Sequence, residues 1–393
     1  MKVKVLIVAF SDSIHTARWM SQLHPDEYEI FFYSAVPFRP LHEGIGNLNL
    51  AAWYVTGLKG AAQIHLGGIF WFYRVVIKVI GQSLAKKLIR GSALKYLHNC
   101  GLRKLIKQVK PTVLHSMETQ KAGYLVSGAV GNGKKFKWIH STWGVDLHYY
   151  LQFPEHRAQI KKLLSQVDLL VVEGDRDSAM AAENGYRGMI EIIPSVGGSL
   201  DFELINKTNR DPGPVSRKLI LLKGYQGEER LAINALKALR KIKGLLAGFE
   251  VIIYSCNNQL LPMVEEIINQ GEFSVRVASE FSYTEFLAMV ASARISITNN
   301  LSDGVPNTML EAMALGAFPI QSNTAITQGW IEDGVNGLLT DPTNIDQIAS
   351  AISRALKDDK LVSEAAIINR SLVEEKLNSD AIDPIIRRLY RPD

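Results

Sequence analysis

The strongest constraint on this chain is an alternation that occurs twice, in which short apolar runs of strand length are each followed by a longer stretch of helical periodicity. In the first half the runs are residues 3–9, 28–33, 112–115, 136–140 and 169–172; in the second they are 218–222, 250–254, 275–277, 295–298 and 318–320. Strands covered on both faces read as continuous apolar runs, and the helical stretches between them are the crossovers that a parallel sheet requires. The chain is therefore expected to be α/β. At 393 residues it exceeds the size at which one core keeps growing, so two domains are expected. Residues 194–199 and a stretch rich in Asn, Asp, Pro and Gly at 206–216 separate the two alternations and place the boundary near residue 200. From about residue 345 to 390 the sequence reads as helical, with breaks near 378–380 and before Pro384.

An apolar fraction of 47% with 21% charged residues fits an ordinary globular protein. The first apolar run is too short for a secretory signal, so a cytoplasmic location is expected. Cys100 and Cys256 lie far apart, which supports neither a disulfide framework nor a cysteine metal site. The net charge of +5 is unevenly placed: no Asp or Glu occurs between Glu43 and Glu118, whereas Lys59, Arg74, Lys78, Lys86, Lys87, Arg90, Lys95, Arg103, Lys104, Lys107 and Lys110 all do. Such asymmetry points to an anionic partner. Over residues 69–110 these cations interleave with aromatic and aliphatic side chains, as in a basic amphipathic segment lying on an anionic membrane surface. Arg74 and Lys78 interrupt the apolar run well short of the roughly 20 residues needed to span. Nucleic acid is not expected as a partner.

One loop carries most of the chemistry. Gly304, Pro306 and Asn307 follow the run at 295–298 as loop formers, and Thr308 is placed to cap a helix beginning near Met309. The loop after a strand's carboxyl end, and the helix start beyond it, is where α/β sheets hold anions, because backbone N–H groups there lack partners. A phosphate fits that helix start. Glu311 cannot bind it, since like charges repel, but its carboxylate can accept hydrogen bonds from sugar hydroxyls. The ligand so described carries both a phosphate and a sugar.

The run Ser302-Asp303-Gly304-Val305-Pro306-Asn307-Thr308-Met309-Leu310-Glu311-Ala312-Met313-Ala314-Leu315-Gly316 resembles the nucleotide-sugar loop of the family-4 retaining glycosyltransferases (glycosyl transferases group 1, GT-B fold). That family's signature is Glu-x7-Glu followed by an Ala-Met-Ala-x-Gly helix. Glu311 matches the second carboxylate, and Asp303, one methylene shorter, stands for the first. Residues 316–320 and 331–339 match the family's closing strand and turn. The resemblance implies two Rossmann-like domains facing a central cleft, with a C-terminal helix crossing back to the first. The expected limits are 1–199, 200–375 and 376–393.

The same resemblance implies roles for residues. Glu311, Gly304, Val305, Pro306, Asn307, Thr308 and Gly224 are expected to bind the donor, with Glu311 on the ribose and Asp303 on the donor sugar. Lys223 and Arg230, beyond the first strand of the second domain, match the cations that neutralise a leaving diphosphate. His140, in the segment 138–147, resembles the family's histidine loop and is expected to be catalytic. His115, Glu118, Asp146, Asp12 and His15 are expected at the acceptor side or the cleft edge, although Asp12 and Ser13 read first as helix caps. Asp175-Arg176-Asp177 imitates a metal-binding Asp-x-Asp and is expected at a cleft edge or a cap.

The implied reaction is metal-independent, cofactor-free hexosyl transfer with retention. The donor would be a UDP-, GDP- or similar nucleotide sugar and the acceptor a glycan or lipid-linked glycan, at the inner membrane face in bacterial surface polysaccharide or lipopolysaccharide assembly. Two alternatives stay open: a GT-B nucleotide-sugar epimerase, and a non-catalytic partner subunit that binds sugar nucleotide.

Overall fold

The computed structural model describes residues 2–45, 49–50, 62–63, 66, 91–131, 133–208 and 213–391. The chain divides into two compact units, one made of Met1–Ser199 with Ile382–Asp393 and the other of Leu200–Ala381. The basic amphipathic segment expected at 69–110 lies outside the described residues up to position 90; its described part is the helix Gly91–Val109 and Lys110.

The first unit is built on β1 (Val3–Ala9), β2 (Tyr28–Ser34), β3 (Asn49–Leu50), β4 (Ala62–Gln63), β5 (Val113–Met117), β6 (Lys137–Ser141), β7 (Leu169–Val172) and β8 (Met189–Ile192). Their order in the sheet is β4-β3-β2-β1-β5-β6-β7-β8, with every pairing parallel. Val5 lies opposite Ile30 on one side and Val113 on the other. From Val5 to Ala9 every β1 side chain is fully buried, as a central strand covered on both faces requires. The chain winds outward from β1 to β4, then returns to place β5 against β1 and winds the other way. That reversal leaves a crevice at the carboxyl ends of β1 and β5.

The second unit repeats the plan with β9 (Leu219–Lys223), β10 (Glu250–Tyr254), β11 (Ser274–Ala278), β12 (Ala293–Thr298), β13 (Phe318–Ser322) and β14 (Leu338–Thr340). The order is β11-β10-β9-β12-β13-β14, again all parallel, and the reversal falls between β9 and β12. Its core joins Ile220, Leu222, Ile253, Ile295, Ile297 and Ile320 from the strands to Leu236, Leu239 and Ile352 from the covering helices. Among the described residues no helix is long and apolar enough to cross a membrane.

The sequence placed a break before Pro384, but the helix Ser379–Leu389 runs through it. Buried Ile382, Ile386 and Leu389 hold this helix in place, and packing outweighs the backbone hydrogen bond that proline cannot make. Beyond it, fully buried Tyr390 accepts a hydrogen bond from Trp19 Nε1 (2.7 Å) and shares another with His115 Nδ1. Tyr390→Phe strips both groups of their partner, and each buried orphan costs about 1–3 kcal/mol. Urea unfolding of the first unit, followed by tryptophan fluorescence, should show a loss of about 2–6 kcal/mol for the two groups together; an unchanged midpoint would mean the C-terminal segment is not anchored there.

Candidate active site

In the second unit the strand reversal sets the carboxyl ends of β9 and β12 side by side, and the residues singled out by the sequence gather there. Lys223 ends β9. Gly224 must be glycine, because a Cβ there would stand 2.5 Å from Ile253 Cγ2 and 2.9 Å from Cys256 Cα. The chain then turns back, with Gln226 bridging Leu231 and Arg230 bridging Asn300. Leu231 N donates to the Asn299 carbonyl (3.0 Å) and Leu301 N to the Glu229 carbonyl (2.8 Å). The loop after β9 is thereby fastened to the loop after β12, which carries Asp303 to the end of β9.

Electrostatics follow from this placement. Burial pushes the Lys223 ammonium below its usual pKa; the nearby Asp303 carboxylate counters that shift, Arg230 reinforces it, and Glu311 counters it. Lys223 and Arg230 also flank one aromatic ring, with Nζ 5.4 Å and Cζ 5.2 Å from the centre of Tyr225, so a cation–π contact holds each of them. Asp303 is fixed by Asn300 Nδ2, which donates to Oδ2 (2.8 Å), and by Gly304 N on Oδ1 (3.0 Å).

The helix Asn307–Ala314 begins a little earlier than the sequence suggested. Pro306 stands at its N-cap with no side-chain cap, and Thr308 lies within the first turn, which corrects the expectation that Thr308 is the cap. Proline suits this boundary because it has no N–H to satisfy. Glu311 is 3% exposed and accepts a hydrogen bond from Tyr283 Oη (2.9 Å). Val305, Asn307 and the Gly304 backbone are buried, and the Gly304 carbonyl accepts from Ile326 N (2.9 Å). Asn257 Oδ1, Asn299 Oδ1 and Gln321 Nε2 are buried without a protein partner, and all three lie at this edge of the sheet. The arrangement offers two cations, an uncapped helix start and two carboxylates, which suits a diphosphate next to hydroxyl-bearing rings.

At the carboxyl ends of β5 and β6 the first unit carries a different cluster. Glu118 has a left-handed backbone (φ 78°), sparsely populated for a side chain of this kind. Its carboxylate accepts from Gln120 N (2.9 Å), Lys121 N (2.7 Å) and Ala122 N (3.2 Å), capping the π-helical turn Thr119–Gly123. Asp146 accepts from Thr119 N and Trp143 N, both at 2.7 Å. Burial raises the Glu118 pKa to about 7, and burial together with Glu118 raises that of Asp146. His15 packs edge-on against Trp143 with ring centres 5.7 Å apart. Ser13 Oγ caps the helix Ile14–Ser21, and Asp12 pairs with Arg39 (2.6 Å) instead of capping.

His140, expected to be catalytic, and His115, expected at the acceptor side or the cleft edge, are both interior. His140 is 1% exposed, with Nδ1 on Ser116 Oγ (2.8 Å) and Nε2 on Thr119 Oγ1 (3.0 Å); His115 is fully buried between Tyr390 and Ser141 Oγ (2.7 Å). Both lie inside strands that run farther than the sequence suggested, and because His115 is in register with Ile139 and Ser116 with His140, the two side chains leave opposite faces of the sheet. Burial lowers their pKa values to about 4 and about 3. His140 thus braces Thr119 in the turn that Glu118 caps. Asp177 is buried and paired with Arg176 (2.9 Å), no side chain caps the helix Asp175–Glu183, and among the described residues no cluster of metal-ligating side chains forms. Tyr225, Tyr283 and Asn300 are the residues that sequence reasoning missed; their partners are distant in sequence or in loop geometry.

A family model described as "Glycosyl transferases group 1" matches residues 217–371, and one described as "Glycosyl transferase 4-like" matches residues 76–173. A search of curated proteins finds no match. Among solved structures, sucrose-phosphate synthase from Thermosynechococcus elongatus is 15% identical with a TM-score of 0.70, over 99% of this chain and 98% of that one. HepE from Anabaena in complex with UDP-glucose is 13% identical with a TM-score of 0.66, over 98% of each chain. A glycosyltransferase from Rickettsia africae is 13% identical with a TM-score of 0.66, over 99% of this chain and 98% of that one.

The histidine geometry is open to direct measurement. Each imidazole binds its proton only near pH 3–4 in the folded unit but near 6.5 in the unfolded chain, so the unfolded state holds more protons in between. Acidification through that window therefore removes up to about 1.4 kcal/mol per pH unit for each histidine. Side-chain NMR should show no titration of His115 or His140 between pH 5.5 and 8; a midpoint near 6.5 in either would contradict the burial.

Proposed function

Because the chain belongs to the group 1 glycosyltransferases and has their GT-B fold of two Rossmann-like units, we propose that it transfers a hexosyl group with retention from a nucleoside diphosphate sugar to a glycan or lipid-linked glycan. The observation that carries this reading is the convergence of Lys223, Arg230, Asp303 and Glu311 at the β9–β12 reversal. HepE binds UDP and UDP-glucose, which supports a nucleotide-sugar donor for the present chain.

In this reading Glu311 takes the ribose hydroxyls, held in place by Tyr283, while Gly304, Val305, Pro306, Asn307 and Thr308 form the helix start over which the diphosphate lies. Gly224 lets the turn after β9 pack against Ile253 and Cys256, which fixes the position of Lys223. Asp303 accepts hydrogen bonds from the donor sugar, and Asn300 sets its orientation. As the bond from the anomeric carbon to the diphosphate breaks, the electron pair leaves with the phosphate, and Lys223 and Arg230 stabilise the growing charge. The acceptor hydroxyl then attacks the same face and passes its proton to the departing phosphate oxygen. No metal ion is needed when two fixed cations and a helix N-terminus supply that stabilisation.

The first unit takes the acceptor, with Glu118, Asp146 and His15 at its carboxyl edge and His140 as a positioning residue for Thr119. The enzyme works at an anionic membrane surface in surface-polysaccharide assembly, a reading supported by the acid-free basic stretch between Glu43 and Glu118.

Glu311→Gln should weaken donor binding by about 1–3 kcal/mol, the range for hydrogen bonds to charged groups. Lys223→Ala and Arg230→Ala should each lower kcat at least about tenfold, since each is asked for more than about 1.4 kcal/mol of transition-state stabilisation. Calorimetry with nucleotide sugars and turnover measured in EDTA check both. Unchanged donor affinity in the Glu311 variant, or activity abolished by EDTA, would overturn the assignment or the metal-free mechanism respectively. NMR of the product's anomeric configuration decides retention.

A further inference from the structure

A cavity of 760 Å³ opens at the amino ends of β5 and β6, the sheet edge opposite Glu118 and Asp146. That volume lies within the roughly 300–1,000 Å³ typical of ligand pockets. Its floor is apolar, made by Ile106, Pro111, Ala129, Val130 and Phe136, and its rim carries Arg103, Lys107, Lys110, Lys134 and Lys135. No carboxylate lines it among the described residues. Asp168, close by, is occupied by Lys134 Nζ and by Trp138 N (2.7 Å), and Arg103 gives one nitrogen to the Gly128 carbonyl (2.6 Å). Lys107, Lys110 and Lys135 have no carboxylate partner among the described residues.

Packing does not account for this rim. Arg103 and Lys107 lie four residues apart on the helix Gly91–Val109 and so share a face, and Lys110, just past its end, lines the same cavity. Lys110 reaches the rim from a left-handed backbone (φ 49°), a position just beyond a helix end that glycine or asparagine usually fills. Like charges clustered around an apolar hollow repel one another unless an anion joins them. A soluble anion would use the rim but leave the floor in water; an amphiphile uses both.

We infer that this pocket is a docking site for an anionic lipid, with the headgroup phosphate among Lys107, Lys110 and Lys135 and the upper acyl chain on Ile106, Val130 and Phe136. The inference rests on the reading that the enzyme works at an anionic membrane surface, and it gives that contact a definite place on the first unit, at the sheet edge away from Glu118 and Asp146. Cations on the rim and apolar atoms beneath take the two ends of one amphiphile, its phosphate at the mouth of the cavity and its upper acyl chain on the floor.

The test uses the full chain and vesicles of phosphatidylcholine with and without phosphatidylglycerol. The triple variant Lys107→Glu/Lys110→Glu/Lys135→Glu should lower partition to phosphatidylglycerol vesicles at least about tenfold, and the milder Lys→Gln triple variant should fall between it and the parent. Nucleotide-sugar affinity, a property of the second unit, should be unchanged in both, and an unchanged urea midpoint of the first unit, followed by tryptophan fluorescence, reports that they fold. Phe136→Trp should acquire fluorescence that brominated acyl chains quench beyond the parent's level. A parent chain that ignores anionic vesicles would overturn the membrane reading itself. Binding by the parent and by both triple variants alike would overturn the pocket alone. So would release from vesicles by glycerol phosphate with no added quenching in the Phe136→Trp variant, which would mark the site as one for a soluble anion.

Discussion

A partly buried ammonium at the end of a central strand is the constraint on which the second unit turns. Lys223 sits where burial disfavours its charge, and Asp303 and Glu311 restore it. Neither carboxylate is near it in sequence. They reach it because the sheet reverses direction between β9 and β12, so the loops that follow two strands distant in the chain become neighbours. The Arg230–Asn300 bridge and the glycine at 224 then close the distance. Charge compensation and topology are therefore one requirement: Lys223 can stay charged at this buried edge because the fold delivers carboxylates to balance it.

The first unit meets a similar problem with the opposite sign. Glu118 and Asp146 are buried carboxyls with no cation bonded to either among the described residues, and backbone N–H groups take that role. The geometry costs a left-handed Glu118 and a π-helical turn, both held by His140 beneath. Strain of this kind persists only where surrounding structure fixes it, and it gathers at functional edges. The two units share a winding rule and a ligand edge, yet one presents cations at that edge and the other strained backbone with acids.

Much of the fold was legible because central parallel strands leave an unbroken apolar run. β1, β7 and β10 were read to their observed limits, while β3 and β4 are two residues each and too short to leave a pattern. β8 escaped because it is an edge strand with exposed Met189 and Ile192 flanking Glu191. Lys223, Arg230, Asp303 and Glu311 were legible through the loop motif and its distance from strand ends. His115 and His140 lie deeper than a strand-end reading implied because β5 and β6 run on to Met117 and Ser141, in a sheet covered on both faces. Tyr225 and Tyr283 were invisible for another reason: their value lies in contacts across 28 residues or around a hairpin, which no local pattern records.

The central claim is that the β9–β12 reversal holds a diphosphate between Lys223 and Arg230. Calorimetric titration of nucleoside diphosphates against the matching monophosphates, in EDTA, tests it most directly. The second phosphate should add at least about tenfold in affinity, or about 1.4 kcal/mol, and replacing Lys223 and Arg230 together by methionine should erase the difference while leaving monophosphate binding intact. Equal affinity for the two nucleotides in the parent chain would contradict the claim.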